Sequence, residues 1–109
     1  MRDDSAYLRH IVEAIDTIYD YLSGMDFEQF SENKMAVDAV VRELEIIGEA
    51  ANNLSDEFKN NNPDLPLRDA IDMRNFLIHE YFGVNKKIVW NTCQNELEPL
   101  RKVIDLLLQ

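Results

Sequence analysis

Glycine and proline are scarce in this chain, three of each in 109 residues. So few turn formers over that length argue against a strand-and-turn fold and favour long helices. One cysteine, Cys93, excludes an internal disulfide. Two histidines, His10 and His79, exclude a histidine-rich metal cluster. No apolar run approaches the roughly 18 residues of a membrane span. The N-terminus, Met1-Arg2-Asp3-Asp4, lacks an apolar signal core, so the chain reads as cytoplasmic with no membrane partner. Positive charge is short too. Eleven Lys and Arg against 21 Asp and Glu give a net charge of −10, which opposes nucleic-acid binding by bulk electrostatics.

What remains is an ordinary globular composition, 46% hydrophobic and 29% charged, in a length that supports one domain over residues 1–109. The charge is unevenly spread. Residues 67–87 hold Arg68, Arg74, Lys86 and Lys87 against Asp69, Asp72 and Glu80, so this is the least acidic part of an acidic protein. A solvated lysine pair accounts for that as readily as a site for an anion.

The apolar spacing predicts an all-α chain of four packed helices. The first helix runs from about Ser5 to Leu22, capped by Asp4 or Ser5, with Leu8, Ile11, Ile15, Ile18 and Leu22 on one face. Phe27 to Ser31 has the length of a single turn. A second helix is predicted over 32–58, where Val37, Val40, Leu44, Ile47, Ala51, Leu54 and Phe58 keep a strict four-three alternation. Gly48 lies inside it at a propensity cost of roughly 1 kcal/mol, which points to close approach of another helix. The segment 60–66, with three asparagines and two prolines, is a break. A third helix follows from Pro66 or Leu67 to about Phe82, before Gly83. Asn85 caps a fourth over 86–108, which Pro99 should kink or divide.

The third helix carries the unusual feature. At about 100° per residue, Leu67, Ala70, Ile71, Leu77, Ile78, Tyr81 and Phe82 all lie within roughly 80° of Arg74. An arginine at the centre of an apolar face is either paired inside a core or sits where a partner or ligand covers it. On a structural reading it pairs with an acid of the second helix, Glu45 or Glu49, and His79 is a helix-end residue favoured by the dipole. If the pair is a core one, removing Arg74 costs about 3–5 kcal/mol; at a polar interface the cost is much smaller. Trp90 and Cys93 read as core, and His10 as exposed.

On a functional reading the same residues suit phosphodiester chemistry. A guanidinium grips phosphate oxygens and stabilises charge developing on phosphorus. A histidine moves the proton from a ribose 2′-hydroxyl or to a leaving 5′-oxygen, a route that requires no metal. Asn75 is placed to orient the phosphate or the arginine. Arg74 and His79 stand about 140° apart on a regular helix. They act together only if the helix loosens near His79, or if two chains contribute to one cleft across a twofold axis.

Arg74-Asn75-x-x-x-His79-x-Tyr81 resembles the Arg-x4-His-x-Tyr motif of HepT-type toxins in the HEPN superfamily of small helical ribonucleases. The likeness extends to Glu45-Ile46-Ile47-Gly48-Glu49-Ala50-Ala51, to Met73 and Phe82, and to Val84-Asn85-x-x-Ile88-Val89-Trp90, and covers about residues 5–108. The resemblance implies an all-α, up-and-down bundle of four to five helices that dimerises, and an endoribonuclease site shared between protomers, with Arg74 and His79 catalytic and neither metal nor other cofactor. It implies an MntA-like nucleotidyltransferase as antitoxin, which adenylylates Tyr81. A phosphate ester there would occupy the guanidinium and repel RNA. Two positions depart from the pattern. Leu67 stands where members often carry an aromatic, and Asp72 where many have glycine; an added carboxylate beside the motif opposes RNA binding. A different class of function is a non-catalytic helical interaction module that binds a nucleotidyltransferase or nucleotides through the same cleft.

Overall fold

The computed structural model describes residues 4–65, 67–79 and 85–109, without the side chains of Asp69, Phe76, Leu77, Ile78 and His79. Among the described residues every regular element is a helix. In chain order they are α1 (Asp4–Leu22), α2 (Phe27–Glu32), α3 (Lys34–Asn53), α4 (Asp56–Asn61), α5 (Leu67–His79), α6 (Lys86–Asn95) and α7 (Leu97–Leu108). The all-α bundle read from the apolar spacing is the fold observed. No helix among the described residues is long and apolar enough to cross a membrane.

The helix α3 is the centre of the bundle. It packs against α1 on one side and α5 on the other, and α7 closes over α1. Asp4, at the start of α1, accepts hydrogen bonds from the Ser55 N–H (2.8 Å) and Oγ (2.7 Å), just past the end of α3, so these two helices run antiparallel. Helices α1 and α7 are antiparallel too. Arg101 grips Asp16 with two N–H groups, Nε at 2.8 Å and Nη2 at 3.1 Å, while Tyr19 donates to Glu98 at 3.2 Å. The core these helices enclose is wholly apolar among the described residues, with Ile11, Ile15, Ile18, Val40, Ile47, Val89 and Ile104 at its heart.

The long helices predicted over 32–58 and 86–108 are each divided. Leu54 is extended (φ −62°, ψ 148°), and Ser55 starts α4 by accepting from the Phe58 N–H at 3.1 Å. A serine followed by Asp56 and Glu57 is a helix-start signature. The unbroken apolar alternation hid it, because Leu54 and Phe58 reach the core on both sides of the break. The fourth predicted helix divides at Glu96 into α6 and α7. Pro99 explains this: it has no N–H for the Asn95 carbonyl, and its ring is tolerated in the first turn of a new helix. The short turn predicted near Phe27 is α2, begun by a capping box in which Asp26 and Gln29 bond reciprocally at 2.8 and 3.0 Å. Gly24, at φ +79°, allows the chain to reverse after α1.

Trp90 holds α2 to α6. Its ring meets Phe30 at 5.4 Å and Phe27 at 6.1 Å between centroids, and Lys87 Nζ lies 4.3 Å from the Phe27 ring centre. Phe30 is fully buried whereas Met35, nearby in sequence, is 83% exposed. Phe30→Ala should therefore cost about 3–5 kcal/mol in urea unfolding, and Met35→Ala less than about 0.5 kcal/mol.

Burial pushes the Cys93 thiol from its ordinary 9 up to about 12. The neutral thiol is thus favoured in the folded state. Its stabilising contribution is complete below pH 9 and is lost as pH rises toward 12. Stability should fall across that window, and Cys93→Ala should remove this component when unfolding is followed against pH.

Candidate phosphate-binding site at the seam of α3 and α5

Helices α3 and α5 meet at Gly48. A methyl group at this position would stand 2.3 Å from Arg74 Cβ and 2.8 Å from the Ala70 carbonyl oxygen. No real contact is that short, so only glycine admits α5 this closely. The stem of Arg74 lies flat on the Gly48 backbone, which is why an arginine tolerates the centre of an apolar face. Gly48 thus has the packing role its position in the helix suggested.

From that seat the guanidinium reaches the edge of the seam. Arg74 Nη1 donates to Glu49 Oε2, one residue beyond the glycine. Of the two acids that the sequence offered, Glu49 is the partner. The Arg74 side chain is 18% exposed and that of Glu49 58% exposed, so the pair lies at the rim of the bundle rather than in its core. Glu49 is itself tethered: its Oε1 accepts from Asn53 Nδ2 at 3.3 Å, one turn along α3. The Arg74 Nε–H is buried and finds no acceptor among the described residues. A desolvated donor in that state costs about 1–3 kcal/mol until an acceptor meets it. Asn53 was not foreseen; its only sequence signal is the four-residue spacing from Glu49.

The other residues named from the sequence are distributed as follows. Asn75 is exposed on α5, next to Arg74. The helix α5 stays α-helical through His79, the last of its described residues, so its backbone does not loosen before the histidine. The His79 side chain and all of Tyr81 lie outside the described residues, as do Phe82 and Gly83. Asp72 is exposed and faces Arg68 at 3.8 Å, so the departing carboxylate turns toward a cation of its own helix. Lys86 donates to the Ser31 carbonyl at 2.9 Å, and with Lys87 it pins the start of α6 to α2. His10 is exposed and meets the Tyr7 ring edge-on. Among the described residues no group of three or more His, Cys, Asp or Glu is arranged to hold a metal ion. A pocket of about 170 Å³ opens between α3, α5 and the α6–α7 break, with Ile47, Met73 and Leu97 in its lining; its walls are mainly apolar and do not include Arg74.

The family model described as ribonuclease HepT-like matches residues 11–107. The chain belongs to the HepT-like ribonuclease family. It is 39% identical over 109 residues to a protein of Caldanaerobacter subterraneus subsp. tengcongensis named "Putative RNase", covering 100% of this chain and 97% of that one. It is 40% identical over 100 residues to the "Probable ribonuclease HepT" of Thermococcus cleftensis, covering 92% and 91% of the two chains. A Methanocaldococcus jannaschii protein also named "Putative RNase" is 32% identical over 106 residues, with 97% of each chain covered. No solved structure matches significantly.

The seam yields a test of its own. By helix propensity Gly48→Ala should stabilise α3 by roughly 1 kcal/mol. The collision with Arg74 and Ala70 should reverse that sign and destabilise the fold by about 1–3 kcal/mol in urea unfolding.

Proposed function

We propose that this HepT-like chain is the toxin of a HepT/MntA-type toxin–antitoxin pair and acts in the cytoplasm as a metal-independent endoribonuclease. The observation that carries this reading is Arg74, a guanidinium seated on glycine at the rim of the central helix pair. The family supports RNA as the substrate.

In this reaction Arg74 binds the scissile phosphate and stabilises the charge that builds on its oxygens. His79 takes the proton of the ribose 2′-hydroxyl. The 2′-oxygen bonds to phosphorus, the bond from phosphorus to the 5′-oxygen breaks, and the histidine proton passes to that leaving oxygen. The products are a 2′,3′-cyclic phosphate and a free 5′-hydroxyl, and no electron or metal is required. Asn75 orients the phosphate. On a regular helix, residues five apart such as 74 and 79 stand about 140° apart. This supports a homodimer in which each chain supplies part of a common cleft. The antitoxin, an MntA-like nucleotidyltransferase, adenylylates Tyr81 and so places a phosphate ester where RNA must bind.

Induced expression of the wild type should arrest growth, and the purified protein should cut RNA in excess EDTA. Arg74→Met and His79→Ala should fold, as judged by circular dichroism, and lose cleavage by about 100-fold or more. Wild-type protein that leaves RNA intact would instead mark the chain as a non-catalytic module that binds a nucleotidyltransferase or nucleotides. Full cleavage by either variant would remove that residue from the reaction.

A further inference from the structure

The phosphate ligand of the proposed site is already bonded to an anion of its own chain. Arg74 Nη1 donates to Glu49 Oε2 from a side chain that is otherwise largely covered. Glu49 differs from its partner in two ways. Its carboxylate is more than half exposed, so water stabilises it when it lets go. It is also held from behind by Asn53 rather than by the guanidinium alone. Such a group is an anchored, solvent-facing stand-in for an anionic ligand. Nothing in its packing requires the charge: the core beneath it is apolar and complete, and Gly48 rather than Glu49 seats the arginine stem.

We infer that Glu49 is an internal competitor for Arg74: it holds the guanidinium in place while the site is empty and must yield it to an RNA phosphate, so that its charge sets substrate affinity. The inference rests on the proposal that Arg74 takes the scissile phosphate. Glu49 touches neither substrate nor reacting atoms and is a positioning residue. Two anions compete for one cation, and the carboxylate, once displaced, attracts a counterion from solution. That uptake offsets part of the counterion release that drives RNA binding. Removing only the charge should therefore tighten RNA binding and steepen its salt dependence. Removing the whole side chain should also free the arginine to wander.

Binding is measured by fluorescence anisotropy with a single-stranded RNA whose 2′-hydroxyls are methylated, so that cleavage plays no part. The proteins are wild type, Glu49→Gln, Glu49→Ala, Arg74→Met and the double variant Glu49→Gln/Arg74→Met. Glu49→Gln should bind about three- to ten-fold more tightly, since the exposed carboxylate competes only moderately. The slope of log affinity against log salt should steepen by up to about 0.7, the value for one single-strand phosphate contact. In the Arg74→Met background the same substitution should change nothing. With cleavable RNA, Glu49→Gln should lower KM and keep kcat within about two-fold, while Glu49→Ala should gain less in KM, because the empty site no longer holds the guanidinium in place, and likewise keep kcat. Arg74→Met that weakens binding while Glu49→Gln leaves it unchanged or weaker would overturn the competition and leave the ribonuclease reading standing. Arg74→Met that binds RNA as well as wild type would overturn both. A tightening by Glu49→Gln that persists without Arg74 would show bulk electrostatics and likewise overturn the competition.

Discussion

The contact between Gly48 and the stem of Arg74 is the constraint on which the rest of this molecule depends. Two helices approach closely only where one of them has no side chain, and here that point lies on the central helix of the bundle. The glycine fixes how near α5 comes to α3. That distance fixes where the arginine stem lies, and the stem length places the guanidinium at the rim beside Glu49. Core, seam and candidate site are thus one arrangement. A change of a single methyl group at residue 48 is felt at a charged group on the surface.

The same arrangement reconciles two demands that usually conflict. A phosphate ligand must be desolvated to act strongly, yet burying an arginine without a partner is costly. Here the aliphatic stem is covered and the head lies beside a half-exposed carboxylate. The charge is compensated without being sealed in. An overall acidity of −10 need not defeat the proposed RNA binding, because a shielded cation at a seam acts locally rather than through a basic surface.

Much of this was legible in the residues. The scarcity of glycine and proline, with apolar steps of three and four, predicts an all-α bundle, and Gly48 announces a close helix contact before any coordinate is known. Arg74 stands out because its charge conflicts with the face it occupies, and such conflicts mark functional or paired positions. The helix breaks were harder to see. At Leu54 the core pattern continues straight through, so periodicity cannot report that the backbone has turned extended; only the Ser55-Asp56-Glu57 cap does. At Glu96 the proline announces a division but not its exact residue, since the break falls where the missing donor is felt. The choice of Glu49 over Glu45 depends on the seam's register, which no single-helix argument supplies. Helix periodicity sets Arg74 and His79 about 140° apart, so their proposed joint action draws on a second chain, which no single-chain pattern describes.

The central claim is that the guanidinium of Arg74 receives an RNA phosphate. It is tested most directly by following the arginine Nε–H signals in a nitrogen-15 spectrum while uncleavable single-stranded RNA is added, with Arg74→Met assigning the resonance. The account predicts that the Arg74 signal moves in proportion to saturation and that its exchange with water slows, as the buried donor gains an acceptor. An Arg74 signal that stays in place while the RNA binds would contradict it.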